Sequence, residues 1–273
     1  VLPLIRDRWF YSLFLTAVLV GGGICNLDTK LAFKTLFPLL SYRHNYITVF
    51  VMLYFFIPFI NTTIAALGRK NFEKFLAVAI LFISVIPSVY PSYANNTYAY
   101  IFWMIVLFCI GRYMGTYEPN LPWRIMLAGS ILNLMILTFL VEPHIGMYSE
   151  NYFIGMQYSF PLLVASVSLL GVFVQWKLPY NRVINSLAKS TFAVYILHDD
   201  PNVRGYIWSS VFHNSVFGHS DYLWIHFICT IFLVYAVCIM VDKVYKITAY
   251  KLLIRIPLNK VEKTIDEYCS VEG

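Results

Sequence analysis

Apolar residues run along this chain in long blocks, separated by short polar stretches. Eight blocks stand out, over residues 9–24, 46–66, 75–90, 98–115, 123–141, 153–176, 183–198 and 222–245. Most come near the roughly 20 residues needed to cross the hydrocarbon core of a bilayer. The first and the seventh are short for that task. The pattern predicts an all-α fold, a polytopic membrane helical bundle of about eight transmembrane helices. Connections of about 5 to 25 residues leave no room for a separate soluble domain. Residues 1–273 therefore read as a single membrane domain.

Breaks in the pattern add detail. Pro58, Pro87 and Pro161 fall inside or near the ends of apolar blocks, where proline kinks a helix and frees a carbonyl for a neighbour. The connection over residues 26–45 has room for a short interfacial helix around residues 31–40, limited by Pro38. Near the end of the seventh block, Thr191, Tyr195 and His198 are spaced four and then three apart. That spacing sets them on one helical face as a buried polar stripe. Pro201 disfavours helical geometry at Asp200, so the helix should stop there. Asp200 followed by Pro201 reads as the N-cap and first residue of a new short helix carrying Arg204.

Composition agrees with a membrane protein. The chain is 59% hydrophobic and 12% charged, about half the charged fraction of soluble domains. Its net charge of +6 reports topology rather than a nucleic-acid partner. Taking the N-terminus and every second connection as one side places 16 of the 20 basic residues there and four opposite. Both termini are thus expected in the cytoplasm of a multi-pass plasma-membrane protein, with residues 198–204 at the outer face. The end of the chain, 246–273, alternates basic and apolar residues and reads as a cytoplasmic amphipathic tail on the anionic leaflet. The five cysteines are scattered, odd in number and without C-x-x-C spacing, which favours small apolar filler over disulfides or metal.

The densest ionisable cluster is His198, Asp199, Asp200 and Arg204. An ionisable group at a span end marks a candidate functional site. His198 can move a proton near neutral pH, or simply fix packing at a helix end. Asp199 and Asp200 can orient His198 or bind substrate; alternatively Asp200 caps a helix and Asp199 is solvated. Arg204 can clamp a carboxylate, phosphate or sugar hydroxyl, or pair with a neighbouring aspartate. Arg112, closing an apolar block, can snorkel to headgroups or contact an anionic donor. Glu142, His144 and Glu150 share one outer connection, but their spacing fits no metal motif, and a solvated loop is the simpler reading. No metal is expected. The sequence lacks G-x-S-x-G, a P-loop and H-E-x-x-H.

Three stretches resemble the acyltransferase-3 family of integral-membrane O-acyltransferases, in particular the bacterial branch that acetylates cell-surface polysaccharides. They are NYITVFVMLYFFIPFINTTI (45–64), NTYAYIFWMIVLFCIGRYMGTY (96–117) and INSLAKSTFAVYILHDDPNVRGYIW (184–208). The third is the most specific, because helix, histidine, proline and arginine recur in order. The resemblance implies acyl transfer from an acyl-CoA donor such as acetyl-CoA to a glycan hydroxyl, with no bound cofactor. On that reading His198 is the catalytic candidate, as a second polar group at the acceptor side, Arg204 is a substrate or structural contact, and Tyr195, Asp199 and Arg112 are candidate substrate contacts. The family has about ten spans and a catalytic histidine on the first. By that pattern, residues 1–4 match the end of its R-x-x-R-x-x-P motif, and two spans with that histidine would lie upstream of Val1. Two other readings stay open: a glycan or lipid-linked sugar flippase, and a truncated, inactive remnant. The expected partners are the bilayer, the donor and the glycan.

Overall fold

The computed structural model describes residues 2–41, 45–91, 99–145, 152–176, 179–218 and 220–250, with residues 264 and 267. In order the helices are α1 (Leu2–Gly21), α2 (Thr29–Leu36), α3 (Asn45–Ile80), α4 (Ile86–Val89), α5 (Ala99–Tyr117), α6 (Trp123–Ile136), α7 (Tyr152–Gly155), α8 (Phe160–Gln175), α9 (Arg182–Ala188), α10 (Thr191–His198), α11 (Pro201–Tyr206), α12 (Asn214–Phe217) and α13 (Leu223–Ile247). No strand occurs among the described residues. The fold is the all-α membrane bundle that the apolar blocks predict. Among the described residues, four stretches are long and apolar enough to cross a membrane: Tyr46–Val89, Tyr100–Tyr117, Trp123–His144 and Leu223–Ile247.

The other expected spans take different forms. The second and third are joined as one helical stretch across Gly68, whose φ of 66° breaks the helix geometry locally. Glycine has no Cβ to clash in that region. The first is α1, which carries Arg6, Asp7 and Arg8 within its first turns. The sixth is divided: residues 156–159 separate α7 from α8, and Pro161 sits in the first turn of α8, where its missing N–H costs nothing. The seventh is broken at Lys189–Ser190 into α9 and α10. Most of the expected tail, from residue 251 onward, lies outside the described residues.

The described chain falls into two compact units, Val1–Val51 with Tyr180–Val271, and Met52–Pro179. In the first, α10 packs against α1 and α13, and Tyr11, Ile47, Ile196 and Tyr245 are almost wholly buried. Asp242, inside α13, is buried but fully engaged. It accepts from Tyr11 Oη at 2.6 Å and from Lys246 Nζ at 2.6 Å. The Tyr245 hydroxyl donates to Asp7 at 2.7 Å. These bonds fasten the start of α1 to the end of α13.

Helix α1 ends in a Schellman turn. Ile24 N–H donates to Leu19 O and Gly23 N–H to Val20 O, with Gly23 at a φ of 69°. The chain then reverses, and Asp28 caps α2 by accepting from Leu31 N at 2.6 Å. Helix α2 is the short helix expected in this connection. It runs back along α1, with Thr35 O accepting from Ser12 Oγ and Leu36 O from Trp9 Nε1, both at 3.2 Å. Thr16 and Thr35 share a 2.8 Å hydrogen bond.

In the second unit, a π turn (Leu81–Val85) precedes Pro87, a common adjustment around a distorted helix. Ser84 and Ser88 then tie this turn to α8. Ser84 Oγ donates to Tyr158 O at 2.8 Å, and Phe160 N–H donates to Ser88 Oγ at 2.7 Å. Glu142 is not solvated as the sequence suggests: only 8% of it is exposed. Its turn continues a second π turn (Leu137–Val141), and α7 packs over that turn. His144 stays exposed, its Nδ1–H donating to Leu140 O at 2.9 Å. Glu150 lies outside the described residues.

Helices α6 and α8 pack closely in this unit, and Gly171 explains how. A Cβ there would lie 2.2 Å from Trp123 Cδ2, and Trp123 is itself only 5% exposed. Gly171→Ala is expected to destabilise the protein by about 1–3 kcal/mol through overpacking. Thermal unfolding in detergent measures it, and the double variant with Trp123→Ala should recover part of the overpacking loss.

Candidate functional site

The site is built on α10 and α11 of the first unit. Ala193, Val194, Ile196 and Leu197 take the buried face of α10. The predicted polar stripe therefore turns away from the core. Thr191 is exposed, and Tyr195 and His198 are half-buried. Apolar burial against α1 and α13 decides that rotation. Tyr195 meets Tyr46 edge to face, with ring centroids 5.9 Å apart.

His198 is the last residue of α10. Its Nδ1 lies 2.6 Å from Val194 O. A carbonyl only accepts, so Nδ1 carries a proton, and in the neutral tautomer that makes this bond Nε2 holds the lone pair. Nε2 meets no hydrogen-bond partner among the described residues. An imidazole oriented through one nitrogen, with the other basic nitrogen available, is the arrangement a proton acceptor needs.

The helix stops where the sequence predicts. Asp200 is buried and caps α11, its carboxylate accepting from Asn202 N at 3.1 Å, with Pro201 in the first turn. Asp199 pairs with Arg204 at 3.3 Å, the two side chains 33% and 59% exposed. This ion pair contributes little to stability. It leaves most of the guanidinium facing solvent. His198 is thus oriented by a backbone carbonyl, and Asp199 is engaged with Arg204. Arg112 is exposed on α5 in the second unit.

Pro201 and Asn202 form one side of a polar cleft of about 440 Å³. The opposite side is α2 and the turn before it, including Asn26, Asp28, Lys30 and Lys34. The cleft can bind a hydroxylated or charged ligand through both signs of charge.

One residue of this region escaped the sequence reading. Arg8 is wholly buried in α1. Its Nη1 donates to Thr48 Oγ1 at 3.0 Å and its Nη2 to Pro38 O at 2.6 Å. Arg8 therefore belongs to the packed interior and not to the basic residues of a terminal loop. A signal was present: Arg8, Ser12 and Thr16 are spaced by four, a polar stripe on one face of α1, and that face receives α2.

A helical membrane bundle presenting an oriented imidazole at a helix end is a framework for group transfer. Comparison with protein families gives the class: residues 2–243 match a family described as an acyltransferase domain. The chain belongs to that family, acyltransferase-3, and is a membrane acyltransferase. No curated protein and no solved structure matches it.

Proposed function

We propose that this protein is an O-acyltransferase that moves an acetyl or similar group from an acyl-CoA donor to a hydroxyl of a cell-surface polysaccharide. The acceptor oxygen attacks the thioester carbonyl carbon. Its proton leaves to a base, the C–S bond breaks, and coenzyme A departs as the thiol. The observation that carries the acceptor side is the oriented His198, whose free Nε2 can accept the hydrogen bond of the incoming hydroxyl. The polar cleft beside Asn202 gives sugar hydroxyls both donors and acceptors. Arg204 and Asp199, within two or three residues of Asn202 in the chain, extend that set, Tyr195 offers an aromatic face, and Arg112 suits an anionic donor group. Burial of Arg8 takes one basic residue off the larger side of the charge asymmetry and leaves its sense intact. The asymmetry supports a plasma-membrane protein with both termini cytoplasmic.

The test uses membranes containing the protein, supplied with acetyl-CoA labelled in the acetyl group. Release of coenzyme A thiol matched by hydroxylamine-labile label in polysaccharide is the expected result. Glycan translocation without donor consumption would support a flippase instead.

A further inference from the structure

The second unit contains a cavity that the acceptor chemistry does not use. It is an open pocket of about 360 Å³, lined by Leu76, Ile80, Met114, Met126, Leu163 and Val167. Three polar residues also reach it: Glu73, Tyr113 and Ser168. Ser168 is 0% exposed, and its hydroxyl has no hydrogen-bond partner among the described residues. A serine inside a helix usually donates back to the carbonyl four residues earlier; this one does not. Buried hydroxyls are nearly always satisfied, so the cavity wall presents a donor suited to an acceptor atom of a ligand.

The polar end of the cavity is built around Glu73. Its Oε1 accepts from Arg69 Nε at 3.0 Å and from Tyr113 Oη at 2.8 Å. The Arg69 guanidinium also lies 4.9 Å from the Tyr117 ring centroid. These contacts hold Arg69 by one edge and by one face, while its side chain stays 58% exposed. Lys70 and Lys74 are exposed beside it. An apolar chamber with a wall hydroxyl, and with the exposed Arg69 held against its lining residue Glu73, matches an amphiphile with a long hydrocarbon chain, an ester carbonyl and an anionic phosphate.

We infer that this cavity holds one acyl chain of an anionic phospholipid from the bilayer. The chain lies among Leu76, Ile80, Leu163 and Val167. An ester carbonyl accepts from Ser168. The phosphate rests on Arg69 and Lys70, a contact that a neutral or zwitterionic lipid satisfies less well. Such a lipid is a fixed part of this unit, unlike the exchanging lipids around it.

Native mass spectrometry of the detergent-purified protein tests this, with palmitoyl-oleoyl phosphatidylglycerol and the phosphatidylcholine of identical chains as probes. One phosphatidylglycerol adduct should form ahead of all others. Its preference over phosphatidylcholine should fall about fivefold for each of Arg69→Ala and Lys70→Ala. Ala77→Phe, which extends an exposed lining position into the chamber, should remove that first adduct while thermal unfolding shows the fold intact. Ser168→Ala should weaken both lipids alike. Equal affinity for the two lipids, or a first adduct that survives Ala77→Phe, overturns the inference.

Discussion

His198→Ala is expected to lower acyl transfer by about 10²–10⁴-fold, the usual contribution of a positioned acid–base group. The loss should appear without unfolding. His198 is half-buried, and its Nδ1 hydrogen bond runs to Val194 within its own helix, so truncation should cost about 1 kcal/mol or less in stability. His198→Asn sharpens the test. Its amide can still donate toward the Val194 carbonyl, but it has no basic nitrogen. If His198 acts through Nε2, asparagine should be as inactive as alanine; if the residue only fixes packing, asparagine should retain much of the rate. Initial rates of ester formation, normalised to inserted protein, separate these outcomes. An unchanged rate in either variant removes His198 from the chemistry.

Arg8→Ala is expected to produce the largest loss of stability in the first unit, about 3 kcal/mol or more, since two charge-assisted hydrogen bonds disappear in a buried site. The Pro38 carbonyl loses its Arg8 donor, and the space vacated by the guanidinium adds a cavity cost. Arg8→Lys keeps the charge but not the fork that reaches Thr48 and Pro38 together, so it should recover only part of the loss. Arg112→Ala, an exposed change, is the control and should stay within about 0.5 kcal/mol. Thermal unfolding in detergent ranks the three. Limited proteolysis between α2 and α3 should accelerate in Arg8→Ala alone. A melting temperature for Arg8→Ala equal to that of Arg112→Ala would refute the clamp.

Local rules were enough for the elements that local chemistry controls. The stop at Asp199, the Asp200 cap and the Pro201 start of α11 follow from sterics within a few residues, and all are present. The family was legible in the same stretch through its resemblance to the family's signature, in which helix, histidine, proline and arginine follow in order. What escaped was set by partners distant in sequence. The α2 segment, TKLAFKTL, has the amphipathic pattern of an interfacial helix; only its bonds to Trp9 and Ser12 show that α1 receives it. Glu142 looks like a loop residue because nothing nearby in sequence announces that α7 will cover its turn. Arg8 was counted as a topological charge because burial depends on Pro38 and Thr48. The polar cleft, with walls from α2 and α11, has no signature in either segment alone.

The hairpin made by α1 and α2 also bears on the order of assembly. Helix α2 carries Lys30 and Lys34 and is too short and polar to enter a bilayer by itself. The carbonyls of Thr35, Leu36 and Pro38 accept from Ser12, Trp9 and Arg8 of α1. During synthesis, α2 must therefore wait until α1 stands in place, and the Arg8 clamp closes only when Thr48 of α3 arrives. The segment settles once α1 and the start of α3 are both in place, and one face of the polar cleft is completed with it.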